Sequence, residues 1–277
     1  MDRRDVYPPG VPCWIEATHP DAAAAAEFYS ALLGWTHEDR MPGEAHYLVA
    51  QLDGRDAAGF AEGPSAGWLT YMSVEDADAA AARVRAAGGI VTLEPQDVMD
   101  LGRTAVCADP AGAPFAVWQP GRRAGAGVVN APGSWNWSNL HARDLDGAAR
   151  FYGAVFGWET DTIEVAEGVD ATMVRVPGYG EFLAQRDPGI RERHAAAGAP
   201  PGFTDAVAWL EPVAAGSAPR WHVTFSAADT DAVAARAAEL GGEVLTPPFD
   251  AGPVRMATLR DPQGAAFSVS TYSPPPP

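Results

Sequence analysis

Cysteine is almost missing from this chain. Cys13 and Cys107 are the only two among 277 residues. They stand far apart without CxxC spacing, which leaves no disulfide framework and no zinc knuckle. Both read as reduced core thiols. Basic residues are scarce as well: 19 Lys and Arg face 36 Asp and Glu, a net charge of −17. A field of that sign repels phosphate backbones and anionic lipid head groups, so nucleic acid and membrane surfaces are excluded as partners. No run reaches the roughly 18 apolar residues of a membrane span. The opening MDRRDVYPPGVP has no apolar stretch of a secretory signal. The expectation is a cytoplasmic protein, monomeric or a weak homodimer.

What the chain does contain is an ordinary core composition, 47% hydrophobic and 20% charged. Its length suits two domains of about 100–150 residues each. It also contains an internal repeat, the signal to seek before any secondary structure. Cys13-Trp14 through Asp21 and on to Phe28-Tyr29 and Gly34-Trp35 returns as Asn136-Trp137 through Asp144 and on to Phe151-Tyr152 and Gly157-Trp158, without a gap. A second stretch, from Trp68 through Asp76 to Gly89, returns from Trp221 through Asp229 to Gly242. Asp109-Pro110-Ala-Gly112 and Asp261-Pro262-Gln-Gly264 close the two copies.

The chain thus divides into four related quarters. In each, an Asp follows a strand position by seven residues: Trp14 to Asp21, Leu69 to Asp76, Trp137 to Asp144 and His222 to Asp229. An Asp ahead of an Ala-rich run suits a helix N-cap, because its carboxylate accepts the unpaired amides of the first turn. Gly34, Gly88-Gly89, Gly157 and Gly241-Gly242 suit the left-handed helix stop. Phe28-Tyr29 and Phe151-Tyr152 are expected to anchor their helices to the sheet.

These features predict an arm over 1–11, a module over 12–119, a linker over 120–134, a second module over 135–272 and a Pro tail over 273–277. The stretch from about Tyr179 to Gly202 carries the longer connection of copy two and reads as a surface loop or a flap.

The pattern of strand–helix–three strands in pairs, with FYxxxxGW after the first helix and DPxG before the last strand, resembles the vicinal oxygen chelate superfamily. That group includes glyoxalase I, extradiol dioxygenases and bleomycin-binding resistance proteins. The resemblance implies an α+β fold, the tandem glyoxalase/bleomycin-resistance/dioxygenase fold, in which paired βαβββ units form curved, partly closed sheets. It also implies a divalent metal held from first and last strands of the quarters. Here those positions hold Trp14, Leu69 and Ala116 in copy one, and Trp137, His222 and Ser268 in copy two. Only His222 ligates metals, and one imidazole is too few. No cofactor and no metal are therefore expected. Strand alternation puts Glu16 and Thr18 on the face of Trp14, and Asn139 and His141 on that of Trp137, which brings His222, Asn139 and His141 together.

Nine Trp residues, several at cavity positions, suit an apolar or planar small-molecule ligand. The candidate ligand-binding residues are Trp14, Glu16, Tyr71, Trp118, Trp137, Asn139, His222, Thr224 and Ser268. Copy one reads either as a binding site or as a filled core, and Glu16 either as an ion-paired surface carboxylate or as a cavity base. His19, His37, His46 and His194 read as turn or loop residues without a role. The expected function is metal-independent binding or sequestration of a hydrophobic or aromatic compound, as in antibiotic resistance or detoxification. The alternative is a glyoxalase-like lyase or isomerase, or a dioxygenase-related enzyme, with an atypical site.

Overall fold

A computed structural model describes residues 2–3, 5–41, 46–166 and 169–272; the Pro tail lies outside the described residues. The first module runs β1 (Pro12–His19), α1 (Ala22–Leu33), β2 (Thr36–Asp39), β3 (Tyr47–Leu52), β4 (Arg55–Glu62), β5 (Gly67–Ser73), α2 (Ala77–Ala86), β6 (Ile90–Val98), β7 (Gly102–Ala108) and β8 (Pro114–Pro120). The second repeats it with β9 (Trp135–Ala142), α3 (Leu145–Phe156), β10 (Glu159–Ala166), β11 (Val169–Arg175), two extra helices α4 (Tyr179–Arg186) and α5 (Ile190–Ala196), and β12 (Ala206–Pro212). It closes with β13 (Arg220–Ser226), α6 (Thr230–Glu239), β14 (Glu243–Ala251), β15 (Val254–Arg260) and β16 (Ala266–Tyr272).

The four helices of the repeat start where their caps dictate. Asp21, Asp76, Asp144 and Asp229 each accept a first-turn amide, from Ala24, Ala79, Gly147 and Ala232. Such a cap is worth about 1 kcal/mol. Gly34 and Gly157 end α1 and α3 in the left-handed region, at φ 77° and 72°.

Each module forms one mixed sheet of eight strands, ordered β2-β3-β4-β1-β5-β8-β7-β6 and β10-β11-β12-β9-β13-β16-β15-β14. Two βαβββ halves meet where β1 pairs antiparallel with β5, and β9 with β13. The fold is thus α+β with paired βαβββ units, as the resemblance implies, and each sheet is left open at both edges.

The core between the modules is built by exchange. Tyr29 of α1 reaches the DPxG turn of the other module and donates to Asp261 Oδ2 at 3.0 Å, while Trp68 Nε1 donates to the Tyr29 hydroxyl at 3.1 Å. Tyr152 of α3 returns the contact, donating to Asp109 at 3.4 Å and accepting from Trp221 at 3.0 Å. The GW tryptophans do likewise: Trp35 donates to the carbonyl of Gly133 at 2.7 Å, and Trp158 to that of Gly10 at 2.8 Å. Gly133 has φ 85°, and a Cβ there would fall 2.6 Å from the Leu33 carbonyl, so only glycine fits. Phe225 packs on Trp68 at 5.3 Å and Phe115 on Tyr152 at 5.5 Å. Each buried aromatic of this kind contributes about 1.5–3 kcal/mol.

The FY aromatics therefore lock the opposite module as well as their own sheet, a wider role than the expected anchor. His19 is a correction too. It is fully buried at the end of β1, with Nε2 2.6 Å from Asp261 Oδ2. His37 lies in β2 and His194 in α5, not in turns. Cys13 and Cys107 are buried and free.

Candidate functional site

Since Ile15, Ala17, Trp68, Val223 and Phe225 point into the shared core, the alternate residues of the same strands point the other way, into each module's concave face. On that face of the second module, Trp137 lies opposite Thr224, Thr224 beside Ser268 and Ser268 beside Thr258, one row across four strands. Asn139 lies opposite His222 in the next row. His222 Nε2 sits 2.8 Å from Ser268 Oγ, and Thr258 Oγ1 is 3.2 Å from the same oxygen. Asn139 donates from Nδ2 to Glu211 Oε1 at 2.6 Å and accepts the Trp209 amide at 3.3 Å. His141 faces His222 with ring centres 5.2 Å apart.

Burial disfavours the charged forms of the titratable groups on this floor. Burial, then His141 and Arg220, push His222 down to about 3; burial and Arg220 push His141 down to about 4. Burial pushes the Glu211 carboxyl up, with the Asn139 bond and Arg220 pulling against it.

The connection over residues 179–202 corrects the expectation of a loop. It folds as α4, α5 and a single 3₁₀ turn, Phe203–Asp205, and lays Phe203 flat against Trp137 at 6.0 Å and 11°. His194 packs edge-on against Phe203 at 5.2 Å. The aromatic wall of Trp137, Phe203 and Trp209 thus stands over the polar row. Trp137 Nε1 and His222 Nδ1 are buried and find no hydrogen-bond partner among the described residues.

The first module carries the same geometry with other chemistry. Trp14, Tyr71, Ala116 and Val106 form the corresponding row. Glu16 is partly buried and accepts from Tyr71 at 3.0 Å, so it is no ion-paired surface carboxylate. Burial pushes its carboxyl up, against the bonds of Tyr47 and Tyr71 and the charge of Arg123. Trp14 Nε1 donates to the Tyr47 hydroxyl at 3.2 Å.

Residues 120–127, within the segment expected as the interdomain linker, lie over this face as a strap. Trp118 Nε1 donates to the Arg123 carbonyl at 2.8 Å, and the Ala126 and Gly127 amides bond the Cys13 and Asp56 carbonyls, each at 2.8 Å. The nine candidates therefore separate into Trp14, Glu16, Tyr71 and Trp118 on the inner face of the first module and Trp137, Asn139, His222, Thr224 and Ser268 on that of the second. Sequence reasoning missed Tyr47, Arg123, Phe203 and Glu211. All four lie in segments outside the repeat motifs.

The sequence matches the glyoxalase-like domain family over residues 14–118 and again over 137–270. The chain belongs to that family. Among glyoxalase-like relatives it is 34% identical over 284 residues to the Mycobacterium bovis protein CFP32, provisionally named a glyoxylase, with 99% of each chain covered. It is 38% identical over 283 residues to the anthracycline biosynthesis protein DauV of Streptomyces sp. strain C5, covering 95% of this chain and 94% of that one. Among solved structures, the Mn(II)-bound glyoxalase of Novosphingobium aromaticivorans superposes with a TM-score of 0.61 at 15% identity, covering 95% of this chain and 82% of that one. At that identity the likeness shows the vicinal oxygen chelate fold alone. At the six metal positions of the fold, this glyoxalase-like chain offers one imidazole, and His222 spends its Nε2 on Ser268. Among the described residues no group of three or more His, Cys, Asp or Glu is placed to hold a metal ion. The donor set does not fit one. Nor does any described helix have the length and apolarity to cross a membrane.

Proposed function

We propose that this glyoxalase-like protein binds a planar aromatic metabolite in the cavity of its second module, without a divalent metal. The observation that carries the reading is the pair of buried ring nitrogens on one face, Trp137 Nε1 and His222 Nδ1, left without a hydrogen-bond partner among the described residues. A buried polar atom without a partner costs about 1–3 kcal/mol. A ligand bearing a carbonyl and a hydroxyl relieves both atoms while its ring lies on the Trp137–Phe203 wall. The relative named for anthracycline biosynthesis makes hydroxylated polycyclic aromatics the first class to test. The neutral floor of His222, Asn139, Thr224 and Ser268 suits such uncharged groups.

Acid–base catalysis as a lyase or isomerase is the weaker reading for this cavity. A general base works best with its pKa near the operating pH, and His222 is pushed down to about 3.

Quenching of Trp fluorescence by hydroxylated anthraquinones tests the proposal. Trp137→Ala and His222→Ala should each weaken binding several-fold to tenfold, since ring stacking is worth about 0.5–1.5 kcal/mol beyond area. Trp14→Ala should do less. Protein treated with chelator should bind as well as untreated protein. Unchanged affinity in both second-module variants moves the site elsewhere, and binding lost with chelator and restored by manganese overturns the metal-free reading.

A further inference from the structure

The first module holds a group that neither sheet supplies. The guanidinium of Arg123, from the strap, lies over the Trp14 ring with its carbon 4.0 Å from the ring centre. Its Nη2 is 3.0 Å from Asp56 Oδ2. Yet Nε and Nη2 are both buried without a well-formed hydrogen bond. Among the described residues, five N–H donors in a rigid fork thus have one carboxylate between them, which Arg40 also engages at 2.9 Å. Beneath lie the Tyr47 hydroxyl, on Trp14 Nε1, and Glu16, on Tyr71. Outside opens a cleft of about 580 Å³, walled by Glu38, Asp39, Arg40, Asp56 and Arg122.

An indole face, a phenol and two carboxyl groups around one point are the recognition set for a flat cation. We propose that the first-module cavity is a binding site for an external planar cation of the amidine or guanidine class, and that Arg123 occupies it as an internal substitute.

The strap itself is fixed. Arg123 N bonds the Leu101 carbonyl at 3.1 Å, its own carbonyl accepts from Trp118, and Ala126 and Gly127 are tied to β1 and β4. Admission of a ligand therefore requires one side chain to rotate outward into the cleft, with no release of backbone. An incoming amidinium that donates to both Asp56 and the Tyr47 hydroxyl makes the bonds that Arg123 leaves unmade. The chain's net charge of −17 raises the local concentration of cations and not of anions.

Benzamidinium is the probe and benzoate the counter-probe, titrated into the full chain by calorimetry. Arg123→Ala and Arg123→Met, which retains an unbranched stem, should bind benzamidinium about 3- to 30-fold tighter than the parent, the factor by which an internal cation–π contact closes the site. Adding Asp56→Asn to Arg123→Ala should return the affinity to the parent's level or below, which locates the probe. Benzoate should gain nothing in any variant. Equal benzamidinium affinity in the parent and both Arg123 variants overturns the proposal. So does benzoate binding by the parent that Arg123→Ala abolishes, since that makes Arg123 the receptor of an anion. Should neither variant fold, parent crystals soaked in benzamidine decide it. Amidinium on Trp14 with Arg123 turned outward supports the proposal, and Trp14 still covered by Arg123 refutes it.

Discussion

The two DPxG aspartates occupy equivalent positions but carry unequal loads, and replacing each by asparagine should reveal the difference. Asp261 accepts the amides of Gln263, Gly264 and Ala265 at 2.9, 2.8 and 3.0 Å on Oδ1. On Oδ2 it meets His19 and Tyr29. Asp109 accepts from Ala111 and Ala113 at 2.9 Å each, and from Tyr152 only at 3.4 Å. The place of His19 is taken by Ala142, so no imidazole reaches Asp109. Breaking a buried, hydrogen-bonded charge contact costs about 3–5 kcal/mol, whereas neutral hydrogen bonds contribute about 1 each. Asp261→Asn should therefore destabilise the chain by about 3–5 kcal/mol and Asp109→Asn by about 1–2.

The pH dependences should run oppositely. Burial raises the Asp261 carboxyl, but His19, the turn amides and Tyr29 outweigh it and hold it below its ordinary value. Its contribution is present above the unfolded value, near 3.9, and disappears as pH falls through the folded one. Burial dominates at Asp109 and leaves it raised. Its charged form therefore weakens the fold as pH rises through the ordinary carboxylate range toward the raised value. Urea unfolding from pH 7 down to about pH 2.5 measures both effects, since the Asp261 contribution is lost only below about 3.9. The deficit of Asp261→Asn should shrink at the lower pH, and that of Asp109→Asn should grow. An Asp109 variant at least as damaged as the Asp261 variant, or two deficits that move together, would refute the reasoning.

Gly59→Ala should cost about 1–3 kcal/mol in urea unfolding, because a Cβ at Gly59 falls 2.1 Å from the Tyr47 hydroxyl and drives it off Trp14; parent-like stability sinks that account. The imidazole NMR signals of His222 and His141 should stay flat from pH 8 to about 5.5 and move only near the values of about 3 and about 4 to which burial and neighbouring charge push them. Both bind protons more tightly once unfolded, so stability should fall with pH from about 6.5 toward 4; a midpoint near 6.5 for either overturns the buried, neutral floor.

The legible part of this molecule was the local part. Each capping Asp, each glycine stop and each strand face depends on residues a turn or two away, and Asp21, Gly34 and the alternation of Trp137, Asn139 and His141 all stand where spacing puts them. The cross-module bonds were illegible for the opposite reason. His19 and Asp261 are 242 residues apart, and nothing near either announces the other. Arg123 and Phe203 were missed because they come from a Gly-rich strap and a Pro- and Gly-rich connection, where no repeat exists to compare. The only available signal for Arg123 was a guanidinium in a segment otherwise short of side chains.

The exchanged core has a consequence for how the two halves can differ. The aromatics and turn aspartates that cross between modules sit on the side of the sheets that carries the helices, and both copies keep these kinds there, Phe28-Tyr29 and Phe151-Tyr152, Trp35 and Trp158, Asp109 and Asp261, although His19 is matched by Ala142. Both concave sides carry a tryptophan, Trp14 and Trp137, but Glu16 is matched by Asn139, Tyr71 by Thr224 and Ala116 by Ser268. A change on the outer row disturbs no bond that holds the partner in place, so one pocket is free to take up new chemistry while its twin keeps the old. A chain nicked within 120–134 should likewise stay in one piece, since Tyr29 and Tyr152 each find their acceptor only on the other fragment.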